Sequence, residues 1–153
     1  MWYRKSQNKD EDSQILDKIN LLKSAIASAA QKVYDRWDPS DVETYADGGI
    51  CNLIAPEIAN VIQKAFPEYI VITSILEDPN HEFVQLIKVS EDEFYTESLD
   101  REVTVFDIDI PYYIYEISKG PYCWKKIENI QFDTSVVSIE KHTEYLSDIR
   151  YDY

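Results

Sequence analysis

The chain is poor in glycine, histidine, cysteine and basic residues, and each scarcity narrows its function. Two cysteines, Cys51 and Cys123, are too few for a disulfide framework, so a reducing cytoplasm is the expected setting. With only two histidines beside them, no zinc-ligand spacing can be found, and no metal or cofactor is expected. Three glycines in 153 residues leave no phosphate-binding glycine loop. Fifteen Lys and Arg face twenty-nine Asp and Glu, a formal charge of −14. Such a surface repels phosphate backbones, which disfavours direct nucleic-acid binding and docking on anionic membranes; a basic protein partner stays open. No apolar run reaches the length of a membrane span. The opening Met1-Trp2-Tyr3-Arg4-Lys5 lacks the hydrophobic stretch of a signal peptide.

What is present is ordinary globular composition on a length that suits one domain with its own core. Residues 1–12 are polar and expected to be flexible. From Ser13 to Trp37, the residues Ile15, Ile19, Leu22, Ile26, Ala29, Val33 and Trp37 recur at three- and four-residue steps, one stripe of a helix. A second helical stripe holds Ile50, Ile54, Ile58, Val61, Ile62 and Ala65 before Pro67. Pro56 sits inside it and requires either a kink or a late start. Beyond Pro67 the period changes to two. Strands are expected over Tyr69–Leu76, His81–Val89, Glu102–Ile110 and Val136–Glu140, with one helical turn at Tyr112–Ile117. Helices first and strands later predict an α+β domain over residues 13–142 with a mainly antiparallel sheet. Residues 143–153 form an acidic, tyrosine-rich tail.

Three places could carry chemistry. Gly48 and Gly49 precede Cys51 as it enters a helical run, which places a thiol at a helix N-terminus. Unpaired amides and the helix dipole there favour thiolate and could hold an oxyanion. The alternative is that Cys51 is a small core side chain beside Ile54 and Ile58. His81 opens a strand directly after a turn, where its ring could reach a helix end or point to water. In Val103–Ile110 the alternation puts Asp107 and Asp109 on one face with Val103 and Val105. Buried there, a carboxylate needs a partner; the alternative is that this face is solvated. Asp109, at the strand end, is the first choice to orient His81, with Asp107 second. A nucleophile, a base and an orienting acid make a catalytic set only if the fold joins them. His142 lies in a polar stretch and looks incidental.

The order of these residues resembles the papain-like and transglutaminase-like cysteine hydrolases. The closer likeness is to small bacterial and phage proteins carrying Gly-Gly-Ile-Cys-x-x-Ile-Ala, His-x-aromatic-Val and Asp-Ile-Pro-x-x-x-Tyr-Glu. Here these read Gly48-Gly49-Ile50-Cys51-Asn52-Leu53-Ile54-Ala55, His81-Glu82-Phe83-Val84 and Asp109-Ile110-Pro111-Tyr112-Tyr113-Ile114-Tyr115-Glu116, with Pro121–Lys126 also similar. The resemblance implies a papain-like core and a Cys51-His81-Asp109 triad in a peptidase, deamidase or amidase acting on a protein or peptide. Peptidases of this superfamily place a glutamine shortly before the cysteine as an oxyanion donor. This chain has Glu43–Asp47 there, so Gly49, Asn52 or Gln85 would have to serve, or no donor exists. The rival expectation is a non-enzymatic acidic binding or inhibitor protein, phage-encoded and mimicking nucleic acid, on a degenerate papain-like scaffold.

Overall fold

The computed structural model describes residues 2–38, 50–76, 81–96, 100–110 and 131–152, with side chains from residue 11 to residue 149 of these. Helix α1 spans Trp2–Leu21 and α2 spans Lys23–Arg36, separated by Leu22. α1 therefore runs back through residues expected to be flexible, and the single helix read over Ser13–Trp37 is two. The break rotates the buried stripe by about one residue. Ile15, Ile19 and Ile26 are buried as the spacing implies, but Ala27, Ala30 and Tyr34 follow, in place of Ala29 and Val33.

Helix α3, Cys51–Ala65, starts at full strength despite Pro56 in its sixth position. Ile50 precedes it without a side-chain cap, and its carbonyl accepts from Leu53 N and Ile54 N at 2.9 and 3.1 Å. Proline cannot donate the amide bond of a helix interior. α3 is held instead by packing, because Ile54, Ile58 and Ile62 are each almost wholly buried. At its other end the Lys18 ammonium donates to the Ala65 carbonyl at 2.6 Å and stands 4.7 Å from the centre of the Phe66 ring. A cation there complements the negative end of the helix dipole.

The sheet contains β1 (Ile70–Leu76), β2 (His81–Ile87), β3 (Glu102–Asp109) and β4 (Ser138–Tyr145), antiparallel throughout and ordered β1-β2-β3-β4. Between β2 and β3 a short helix α4 spans Glu91–Thr96, which the sequence pattern did not announce. A single 3-10 turn, Thr134–Val136, precedes β4, and α5 (Leu146–Asp152) follows it. The last strand thus runs five residues beyond the expected Glu140, and the acidic tail is strand and helix. The expected turn at Tyr112–Ile117 lies outside the described residues. With five helices and one four-stranded antiparallel sheet among the described residues, the class is α+β.

The pleat sends alternate residues to two different cores. Val84, Leu86, Phe106 and Ile108 pack with α2 and α3 in the larger one, which also contains Cys51, Tyr34 and Phe66. Ile72, Ile87, Val103 and Val105 pack on the other side with Phe94 of α4 and with Leu146 and Ile149 of α5. Burial of each of these side chains contributes about 1.5–3 kcal/mol, so α5 is docked through Leu146 and Ile149. Asp12 of α1 ties the helical layer to the sheet region, its two oxygens 2.8 Å from Lys88 Nζ and 3.1 Å from Lys141 Nζ.

Candidate functional site

His81 is the first residue of β2, opposite Leu76, and is 4% exposed. Its Nε2 lies 2.8 Å and 3.0 Å from the two oxygens of Asp109. Asp109 is the last residue of β3; continuing the strand register by one step sets it opposite Phe83, so His81 reaches it along a diagonal. A carboxylate only accepts, so Nε2 is the donor in this pair.

Asp107 serves different partners. It faces Gln85, whose Nε2 donates to Asp107 Oδ1 at 2.8 Å, while Gln85 Oε1 accepts from Ser74 Oγ at 2.6 Å. From β4, His142 Nε2 stands 2.9 Å from the same Asp107 oxygen. Ser74, Gln85, Asp107 and His142 thus form a polar row across all four strands, one step inward from His81 and Asp109. Burial alone would lower the His142 pKa. The close approach of Asp107 and the negative charges of Asp107 and Glu144 outweigh it, and the imidazole is held above its ordinary 6.5. Glu144 is raised above its ordinary 4.5, first by burial and then by the Asp107 charge, against the lowering pull of His142.

Cys51 is the first residue of α3 and is 2% exposed, inside the larger core. A four-residue reversal joins α3 to β1, and α3 packs across β1 and β2. Helix and strand therefore run in opposite directions, so α3 begins toward the Leu76 end of β1. The layers differ, however. The pleat turns His81 and Asp109 toward the face carrying Gln85, Asp107 and Val105, whereas Cys51 belongs to the layer on the opposite face. The structure joins His81 to Asp109 and sets Cys51 in the layer on the other face of the sheet.

Of the supporting residues, Gln85 has its amide donor committed to Asp107 and sits mid-strand. Asn52 is the second residue of α3 and half-buried. Gly48, Gly49, Cys123 and the run from Pro111 lie outside the described residues. Sequence reasoning missed His142, Ser74 and Glu144; extending the last strand past Glu140 would have put His142 on the Asp107 face. A cleft of about 430 Å³ between α2 and residues 131–134 is lined by none of the three candidate catalytic residues. Among the described residues no group of His, Cys, Asp and Glu could hold a metal ion, and no helix is long and apolar enough to cross a membrane. No family model, curated protein or solved structure matches the chain.

Proposed function

We propose that this chain is a cysteine-dependent acyl-transfer hydrolase, a peptidase, deamidase or amidase, working at the rim where α3 begins. The observation that carries this reading is the buried His81 imidazole, held by both oxygens of Asp109. Its likeness to papain-like enzymes in the order of Cys51, His81 and Asp109 supports it further. In this mechanism the Cys51 thiol gives its proton to His81 Nδ1 and the sulfur attacks a substrate carbonyl carbon. The Cys51 backbone amide at the start of α3 would help stabilise the oxyanion. The proton then passes to the leaving amine as the C–N bond breaks, and water, deprotonated by His81, releases the acyl group. Asp109 keeps Nε2 protonated, which leaves the proton exchange with Cys51 to Nδ1. The chemistry requires Cys51 Sγ to meet Nδ1 around the sheet's rim.

Thiol reactivity tests this. With iodoacetamide near neutral pH, Cys51 should alkylate much faster than Cys123, as read by peptide mass spectrometry, and His81→Ala should remove the difference. Equal, slow labelling of both thiols in the wild-type protein would end the proposal.

A second reading rests on the burial of Cys51 among Ile50, Ile54 and Ile58, where a cysteine can act as a small core side chain. On that reading the chain is an acidic binding protein for a basic partner. Binding that weakens with salt and survives Cys51→Ala would favour it; salt-independent binding would count against it.

A further inference from the structure

The polar row on the sheet face ends at β4 in a concentration of acids around one imidazole. His142 meets Asp107 of β3 from one side. Glu140 and Glu144 share its face of β4 by alternation, and Asp148 of α5 adds its negative charge at Glu144. From β2 the neighbouring group is the uncharged Gln85, already bonded to Asp107, with the His81–Asp109 pair one step further along. The cations described nearby are engaged elsewhere: Lys88 and Lys141 with Asp12, Arg101 with Glu93. Glu144 Oε2 and His142 Nε2 are both buried without a well-aligned hydrogen-bond partner among the described residues, so His142 meets Asp107 as a close ion pair and not through a directed hydrogen bond.

We infer that His142 is a proton-dependent latch that holds the C-terminal β4–α5 unit on the sheet. Protonated, it is the one described cation on this face and offsets Asp107 and Glu144. Deprotonated, it leaves Asp107, Glu140, Glu144 and Asp148 to repel one another across the β3–β4 seam and at the start of α5. Release of that seam frees Leu146 and Ile149, and with them the cover over Phe94, Ile87 and Val105 in the second core. This inference stands apart from the hydrolase reading, since it uses neither Cys51 nor His81.

The direction in pH follows from the two shifts. A group whose folded pKa is raised contributes stability that is complete below its unfolded value and is lost as pH climbs through the folded one. His142 and Glu144 are both raised, so both act the same way. The unit is held best in mild acid and loosens as pH rises above 6.5.

Amide hydrogen exchange, corrected for the intrinsic pH dependence of exchange, reads this directly. Wild-type protection of residues 138–149 should fall between pH 6 and pH 9 relative to β1 and β2. Release of one proton limits the fall to about tenfold per pH unit. In His142→Gln, which keeps a side-chain donor but does not titrate, the fall should shrink to the part that Glu144 contributes. The His142 ring proton followed by NMR provides a second reading: its midpoint should lie above 6.5 and drop in Asp107→Asn. An equal fall in His142→Gln, or a wild-type midpoint at or below 6.5, would overturn the latch.

Discussion

Removing the acceptor beneath His81 perturbs the best-defined contact of the candidate site. Asp109→Ala takes both oxygens from Nε2 and leaves a donor on a ring that is 4% exposed. A hydrogen bond to a charged group is worth about 1.5–3 kcal/mol, and the Asp109 side chain is 27% exposed, so water can partly replace it. The expected loss is about 1–2 kcal/mol, or roughly 2–8 °C in Tm for a chain of this size. Asp109→Asn keeps a carbonyl acceptor and should lose less. A double-mutant cycle with His81→Ala isolates the pair: urea unfolding, followed by tryptophan fluorescence, should show a coupling of about 1–2 kcal/mol with unchanged m-values. Additivity within about 0.5 kcal/mol would mean that the contact contributes nothing, and the argument from a held imidazole would fall with it.

Two further outcomes follow from the helices. Pro56→Ala restores an amide donor in the interior of α3 at an exposed position, and should stabilise the protein by about 1–2 kcal/mol, less than the roughly 3 kcal/mol of an unrelieved helix proline, since Pro56 also restricts the unfolded chain. No gain in thermal denaturation would show that α3 is already adapted to it. Asp12→Asn should destabilise by about 1 kcal/mol at neutral pH, because Asp12 is partly buried between Lys88 and Lys141. Burial raises its pKa, but the bonds and charges of those lysines outweigh burial and hold it below its ordinary 3.8. Its stabilisation is therefore present above 3.8 and lost as pH falls through the folded value, so the gap between variant and wild type should close in acid; a gap independent of pH would contradict the pairing.

The strands were legible because β-branched residues are concentrated from Ile70 to Leu76 and from Val103 to Ile108, and the change of period after Pro67 marked where helix gives way to sheet. The His81–Asp109 pair was legible for a related reason: each is an ionisable residue at the end of a strand, one after a turn and one before Pro111. Which layer each would face was not. Both faces of β3 are buried, Val103 and Val105 under α4 and α5, Phe106 and Ile108 under α2 and α3, so polarity alone could not tell which face meets Cys51. His142 stayed hidden because Glu140-Lys141-His142-Thr143-Glu144 carries no hydrophobic alternation; β4 is set there by its pairing with β3. The break at Leu22 has neither glycine nor proline to announce it.

The strand order itself has a consequence for how the chain is assembled. Every strand neighbours the one before it in sequence, yet the connections are unequal: the stretch between Asp109 and Ser138 is roughly sevenfold longer than that between Leu76 and His81. Closing the longer one costs about 1.7 kcal/mol more in chain entropy by the logarithmic dependence on length. That difference falls on the last strand and its helix, which offset it chiefly through Leu146 and Ile149.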